Sequence, residues 1–184
     1  MIIDILGLDP SLNNWGVALA KYDTQTNILT VLQGRVLTSK HNKKAKQNIQ
    51  DLTKSEFLYK SLAPAFNYAD IISAELPYGS QSSRAMVSYA LCIGVLGSLK
   101  HTNPNVVPVT PIQVKKLVGS PTSTKEEVID WVKAKHPEIL SWLPQAKAKS
   151  EHICDAIVSM HVMLNTQQFK DYIHGSILQN SKPN

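Results

Sequence analysis

Side chains that could coordinate a divalent metal ion occur where apolar segments of the sequence end. Asp9 directly follows the apolar run 2–8, and Glu75 lies at the end of the apolar run 70–76. His152 and Asp155 are three residues apart, so in a helix they lie on one side of it. Mg²⁺ prefers carboxylate oxygens, and two metal ions about 3.5–4 Å apart can hydrolyse a phosphodiester bond. The four residues together indicate a metal-dependent nuclease.

Each of these residues also has an ordinary structural explanation. An acid at the end of a strand is often a solvated turn residue or a helix cap, which covers Asp9 and Glu75. His152 is one of six histidines, most of which must have no role in chemistry. Asp155 is harder to explain in this way because its neighbours form an apolar helical segment. The combination of the four is therefore a stronger signal than any single member.

Five apolar runs with strand character would have to position these residues, at 2–8, 15–22, 28–37, 70–76 and 106–109. The turn signal DTQTN separates the second run from the third, and the first three runs predict an antiparallel meander. Adjacent strands lie about 4.8 Å apart. If the runs that end near Asp9 and Glu75 are neighbours, the two carboxylates can therefore hold one ion between them.

Segments with helical periodicity alternate with the later strands, at 49–66, 82–100, 111–118, 124–135 and 149–165. Thr124 and Glu127 form a capping-box pattern at the start of one of them. In the last segment, His152 and Asp155 lie at the edge of the apolar stripe formed by Ile153, Ile157, Met160 and Leu164. This order predicts an α/β fold with a mixed five-stranded sheet and helices on both faces.

The predicted domain organisation is a single domain over 1–170, followed by a polar tail over 171–184 that is loose from Gly175 onward. A formal net charge of +5 and a pI near 9.1 favour a polyanionic partner. No run of eighteen apolar residues occurs, so no transmembrane helix and no membrane partner are expected. The N-terminal MIIDILGLDP lacks the basic region of a signal peptide. The two cysteines fit buried thiols in the cytoplasm.

Four segments of the chain resemble the motifs of the RuvC-type Holliday junction resolvases, in the family's order and at similar spacings. LGLDPSLNNWGVAL resembles the first motif through Asp9 and Gly16, and AELPYGSQSS resembles the second through Glu75 and Tyr78. The third and fourth resemblances lie in PIQVKKLVGSPTSTKEEVIDWV and SEHICDAIVSMHV, which carry Lys115, Lys125, His152 and Asp155. The resemblance extends from residue 5 to about 165.

This resemblance implies a ribonuclease-H-like fold, a homodimer, and resolution of four-way DNA junctions by paired symmetric nicks. It implies two Mg²⁺ ions per active site, with Mn²⁺ as an alternative, held by Asp9, Glu75, His152 and Asp155. No organic cofactor is implied. Lys115 and Lys125 would contact phosphates and act in catalysis, and the products would carry a 5′-phosphate and a 3′-hydroxyl.

The chain departs from the family pattern at two positions near these ligands. Ser11 replaces the usual glycine after Asp-Pro, and His152 stands where many members have aspartate. Imidazole suits Mn²⁺ better than Mg²⁺, which leaves the metal preference open. The short tail and the lysine-rich insertion at 40–46 are consistent with a divergent branch of the family, such as a phage enzyme. The expected location is the cytoplasm of a bacterium or of a phage-infected host.

Further residues are candidates for contact with DNA. Tyr78 could stack on an exposed base or pack within the protein. Lysines in the polar segment before the first helix could neutralise phosphates or be ordinary solvated residues, namely Lys40, Lys43, Lys44 and Lys46. The helix at 82–100 is apolar on more than one side, which fits either a dimer contact or burial within one domain.

Other functions remain open at the level of sequence. One is a broader nuclease of the same fold that cuts branched DNA or RNA/DNA hybrids. Another is a non-catalytic module that binds junctions, although four candidate ligands argue against it. An actin-like sugar kinase would need a much longer chain than 184 residues.

Overall fold

The computed structural model describes residues 1–40, 42 and 44–180. Within them the chain forms five strands: β1 (Ile2–Asp9), β2 (Trp15–Asp23), β3 (Ile28–Leu37), β4 (Ile71–Glu75) and β5 (Val106–Val109). The helices are α1 (Gln47–Tyr68), α2 (Ser83–Leu99), α3 (Pro111–Val118), α4 (Lys125–Lys135), α5 (Lys147–Leu164) and α6 (Gln167–Asn180), with a short 3₁₀ helix at Pro137–Ser141.

The strands form one mixed sheet in the order β3-β2-β1-β4-β5. β1 pairs with β2, and β2 with β3, in antiparallel register. β1 pairs with β4, and β4 with β5, in parallel register. The predicted meander and mixed sheet are therefore confirmed, and β1 and β4 are neighbours, as the paired carboxylates require.

The two faces of the sheet bury separate apolar clusters. Ile3 and Ile5 of β1 pack with α5, whereas Leu6 and Leu8 pack with α1 and α2. Side chains alternate between the faces of a strand, so Asp9 lies on the α5 side. The same alternation in β4 places Glu75 on the side of Ile71, which also packs with α5. Strand parity thus directs both carboxylates towards the helix that carries His152 and Asp155.

Two glycines allow the α5 backbone to lie directly on β1 and β2. A Cβ atom at Gly16 would overlap the carbonyl oxygen of His152, and one at Gly7 would overlap that of Ala156. Any larger side chain would push the helix away from the sheet. Gly16, which the sequence singled out, therefore sets how closely His152 approaches the end of β1.

The chain beyond 170 differs from its prediction as a loose tail. Residues as far as Asn180 belong to α6, so the expectation of a loose segment from Gly175 is wrong over the described residues. Phe169 is buried against the edge of the Tyr22 ring, and Tyr172 and Ile173 pack against the same cluster. Their i, i+3, i+4 spacing is that of an apolar helical face, which is hard to recognise in the sequence because the surrounding residues are polar.

Smaller features agree with the sequence. The capping box of Thr124 and Glu127 begins α4, and a second one, Thr110 with Gln113, begins α3. Cys92 and Cys154 are buried free thiols, as predicted. Among the described helices, none combines the length and the apolar character needed to cross a lipid bilayer.

Candidate active site

The carboxyl ends of β1 and β4 place Asp9 and Glu75 side by side. Leu8 is paired with Ala74 in the parallel register, so the next residue of each strand is an acid. α5 crosses this edge of the sheet and contributes His152 and Asp155 from its second and third turns. Three distant parts of the chain thus place the four predicted residues at one edge of the sheet.

A hydrogen bond joins His152 to Asp9. His152 Nδ1 donates to Asp9 Oδ2 over 2.6 Å, and both side chains are largely shielded from solvent. The hydrogen bond raises the pKa of His152, and partial burial opposes that rise. The contact fixes the start of α5 to the end of β1.

Glu75 and Asp155 are held in an environment that disfavours their charged forms. Burial, followed by the negative charges of Asp9 and Asp155, raises the pKa of Glu75 to about 9. Burial, followed by the charges of Asp9 and Glu151, raises the pKa of Asp155 to about 7. Groups with such shifts mark functional sites more often than ordinary surfaces do.

Glu75 also has an oxygen without a partner. Its Oε2 is one of three buried side-chain polar atoms in the described residues that accept or donate no hydrogen bond, with Trp15 Nε1 and Ser73 Oγ. Of these three it alone belongs to an acid. A buried carboxylate oxygen normally has a hydrogen-bond donor or a cation beside it.

The arrangement is not a closed metal cage. In the described part of the chain, no three His, Cys, Asp or Glu side chains converge as a ready set of ligands. His152 and Asp9 are hydrogen-bonded to each other. The carboxylate donors and the partnerless Glu75 oxygen suit a hard divalent cation.

A cleft of about 450 Å³ opens beside the carboxylates. Glu75 and Asp155 line it, together with Lys115 of α3 and Lys125 of α4. Both lysines are exposed. The cleft therefore combines two acids with two positive charges, which is an arrangement suited to a phosphate group.

No protein-family model matches the chain, and no curated protein matches it in sequence. Solved structures, however, are similar to it in fold. RuvC of Thermus thermophilus, in complex with a Holliday junction substrate, superposes with a TM-score of 0.67 at 15% identity, covering 87% of this chain and 92% of that one. The chain has the fold of the RuvC-type resolvases.

Two further structures are similar to this resolvase fold. The yeast mitochondrial Holliday junction resolvase has a TM-score of 0.63 at 15% identity, covering 91% of this chain and 82% of its own. The fowlpox virus resolvase, in complex with substrate Holliday junction DNA, has a TM-score of 0.54 at 14% identity, covering 88% and 97%. The predicted ribonuclease-H-like architecture is therefore confirmed.

Within this resolvase fold, sequence reasoning missed Glu151. It forms an ion pair with Lys125, and its charge helps to raise the pKa of Asp155, after burial and Asp9. Glu151 and Asp155 are four residues apart and share one side of α5. That spacing was visible in the sequence, but the partner Lys125 lies 26 residues away and carried no local signal.

The predicted DNA-contact residues lie at the same edge of the resolvase fold. Tyr78 is 51% exposed in the loop 76–82, between Glu75 and α2. β3 runs in the same direction as β1, so both strands end at the same edge of the sheet. The exposed lysines that follow β3 are Lys40, Lys44 and Lys46. Lys43 and the neighbouring His41 lie outside the described residues.

Proposed function

We propose that this chain is an endodeoxyribonuclease that resolves four-way DNA junctions by paired symmetric nicks and depends on a divalent metal. The observation that carries the proposal is the partnerless, buried Glu75 oxygen beside Asp9 and Asp155. Three acids grouped at one edge of a sheet cost stability unless a cation offsets them. A nuclease with this fold would use that cation to hydrolyse the phosphodiester bond.

Asp9, Glu75, His152 and Asp155 would hold the metal, as two Mg²⁺ ions or, because of the imidazole, two Mn²⁺ ions. When bound, such ions supply an activated water and stabilise the departing oxygen. The hydrogen bond between His152 and Asp9 holds the Asp9 carboxylate at the end of β1. Glu75 and Asp155 would lose their protons on metal binding and contribute carboxylate ligands.

Lys115 and Lys125 would act on the phosphate. They line the same cleft as Glu75 and Asp155. Their ammonium groups would hold the scissile phosphate over the carboxylates and offset its charge in the transition state. Glu151 keeps Lys125 at the rim through their ion pair.

The DNA itself would lie along the basic edge. Tyr78 would stack on a base at the centre of the junction, and Lys40, Lys43, Lys44 and Lys46 would neutralise phosphates of one arm. Two of the three similar structures contain junction DNA, and the net charge of +5 suits such a ligand. We place the enzyme in the cytoplasm of a bacterium or of a phage-infected host.

A second copy of the chain would complete the enzyme. α2 exposes a face of apolar and small residues, made up of Met86, Val87, Ala90, Ile93, Gly94 and Gly97. Added Cβ atoms at the two glycines would meet nothing within 4 Å, so another helix could approach closely. A two-fold dimer through this face would set one active site on each of two opposed strands.

The direct test is cleavage of a synthetic four-way junction beside a matched linear duplex, with Mg²⁺, Mn²⁺ or EDTA, and mapping of the nicks. Symmetric nicks in opposed strands of the junction alone, abolished by EDTA, are expected. Equal cutting of flaps, hybrids or duplex would replace the proposal with a broader nuclease. Tight binding without cutting would replace it with a binding module.

Asp9→Asn supplies the matched control for that assay. It keeps the shape of the side chain and removes its charge, so cleavage should fall at least about a hundredfold because a metal ligand is weakened. The Kd for the junction, measured in EDTA by gel shift, should stay within about threefold because phosphate contacts dominate DNA affinity. Loss of folding or of DNA binding in this variant would contradict the assigned role.

A further inference from the structure

Two charged residues of α1 are buried where its apolar face would be expected to continue. Leu58, Leu62 and Phe66 form that face in the second half of the helix. One and two turns before them, the same face carries Asp51 and Lys54, which are only 7% and 6% exposed. Burying charged groups is costly unless they have well-placed partners, and both residues have such partners in other parts of the fold.

Asp51 is bound by the start of α2. Arg84 donates two hydrogen bonds to the Asp51 carboxylate, of 2.5 and 2.6 Å, and Gln47 donates a third of 3.0 Å. The hydrogen bonds from Arg84 hold the pKa of Asp51 below its usual range, against the effect of burial. A two-pronged contact of this kind fixes orientation as well as distance.

Lys54 is bound to the loop that follows β1. Its Nζ donates to Asn13 Oδ1 over 2.8 Å, and its charge also acts on Asp51. The neighbouring Asn14 accepts a hydrogen bond from Thr38 at the end of β3. We call Asn13, Asp51, Lys54 and Arg84 the polar clamp.

The polar clamp joins the loops that follow the two carboxylate-bearing strands. Asn13 lies four residues after Asp9, and Arg84 lies nine residues after Glu75. The loop 76–82 between Glu75 and Arg84 is anchored at its start, where Leu76 N donates to Val109 O over 2.9 Å. Leu76 also packs against the apolar cluster beneath α1 and α2, and the other hydrogen bonds given for the loop are short-range, such as Ser82 N to Ser80 Oγ. Arg84 therefore fixes the far end of the loop that carries Tyr78.

Stability alone does not account for these residues. A leucine at position 51 or 54 would extend the existing apolar stripe, and apolar replacements of buried ion pairs are often as stable or more stable. What an apolar pair would lose is a defined distance between the two loops. Sites that act on a substrate need such supporting contacts to hold their geometry.

We propose that the polar clamp positions the Tyr78 loop relative to Asp9, so that a junction held at Tyr78 is cut at one particular phosphate. Asp51, Lys54 and Arg84 are then positioning residues that set cleavage specificity without touching the reacting atoms. The proposal rests on the junction-cleaving function argued above. It adds a structural link between Tyr78, where the junction would be held, and Asp9, where the phosphate would be cleaved.

The test compares Asp51→Asn, Arg84→Gln and the double variant with the wild type on a junction whose crossover cannot migrate. Lys60→Gln is the control, because it breaks an exposed ion pair with Glu56 on the same helix. Nick positions, kcat, KM and the oligomeric state are measured for each protein. Wild type and Lys60→Gln should cut mainly at one phosphate in each of two opposed strands.

In both single variants the cuts should spread over neighbouring phosphates, and kcat should fall about tenfold with KM nearly unchanged, since small misplacements of reacting groups are costly. The double variant should be no worse than either single one, because the two residues act through one contact. Asp51 is buried and would not touch DNA. Its variant therefore separates positioning from a direct DNA contact of Arg84.

Unchanged nick positions in Asp51→Asn, or a raised KM confined to Arg84→Gln, would overturn the clamp and leave the resolvase function intact. A wild type that cuts no branched DNA would refute the function first, and the clamp with it. If Asp51→Asn fails to fold, Lys54→Met gives the same test. This variant keeps the ion pair between Asp51 and Arg84 and the packing of the side chain, but it loses the hydrogen bond to Asn13. Cleavage at a single phosphate by Lys54→Met would refute the proposal.

Discussion

At the scale of one residue, the burial of Glu75 lowers the stability of the folded protein when no metal ion is bound. Its carboxylate is buried beside Asp9 and Asp155, and one oxygen has no partner among the described residues. Because its pKa is raised to about 9, Glu75 must take up a proton on folding at neutral pH, which lowers the free energy of unfolding. An acid placed this way serves a ligand at the expense of stability, which is the usual compromise at active sites.

The corresponding prediction is that Glu75→Gln raises the melting temperature of the protein in EDTA by a few degrees. About 1 kcal/mol corresponds to roughly 2–4 °C in a chain of this size. The same variant should lose most of the stabilisation that wild type gains from Mg²⁺ or Mn²⁺, since a ligand is gone. Calorimetry with and without metal measures both. A lower melting temperature in EDTA would show that Glu75 is a structural group.

Prediction from the sequence identified some of the individual residues at the candidate site and missed others. Asp9, Glu75, His152 and Asp155 were found because each ends or borders an apolar run, and such runs are readable from periodicity. Glu151, Asp51 and Arg84 were missed because their meaning lies in partners 26 and 33 residues away. Long-range polar pairing leaves no periodic trace in a sequence.

At the scale of elements, the contact between α5 and the β1–β2 pair decides the geometry of the site. Gly7 and Gly16 remove the side chains that would separate them. The helix then brings His152 within hydrogen-bonding distance of Asp9. The strands and most helices of this arrangement were predictable, whereas α6 was not, because its apolar face is narrow and set among polar residues.

We expect Gly16→Ala to displace α5 and to lower both stability and cleavage. Overpacking of this kind typically costs about 1–3 kcal/mol, and a shifted His152 would loosen its contact with Asp9. Gly175→Ala is the matched control: its Cβ would meet nothing within 4 Å, and alanine within a helix should add about 0.5–1 kcal/mol. Chemical denaturation and the junction assay report the two effects. Wild-type cleavage by Gly16→Ala would show that the close approach is not needed.

At the scale of the whole molecule, the proposed dimer depends on the exposed face of α2. Ile93 lies in the middle of that face and is 47% exposed. Ile93→Lys should yield a monomer by light scattering, and nicks in opposed strands should then occur independently of each other. Leu140→Lys, at a 57% exposed position before α5, should leave assembly unchanged. A wild type that is monomeric with and without junction DNA would contradict the two-fold arrangement.

The stability of the molecule should also fall in acid because of His161. Burial, followed by the charges of His136 and Lys135, lowers the pKa of His161 to about 3. His161 accepts or donates a 2.7 Å hydrogen bond with His136 and packs against Trp131. The unfolded chain binds a proton here near pH 6.5, so the stabilisation is present above that pH and is lost as the pH falls from 6.5 towards 3.

His161→Gln should therefore flatten the decline in melting temperature between pH 6.5 and 4, although it lowers stability at pH 7.5. Thermal melts of wild type and variant over that range provide the measurement. His101→Gln, on an exposed turn after α2, is the comparison and should follow the wild-type curve. Parallel curves for wild type and His161→Gln would assign the acid sensitivity to other groups.

The contact between Asp9 and His152 joins positions 143 residues apart. The ribosome therefore makes Asp9 and Glu75 before the helix that carries the other two residues of the proposed site, and we expect an unfinished chain that lacks α5 not to cut DNA. The exposed turn around 120–122 separates the two contributions along the chain. If the chain is divided at that turn, we expect neither fragment to cleave DNA by itself. Association of the two fragments should restore cleavage, so the activity of the divided nuclease would depend on fragment assembly.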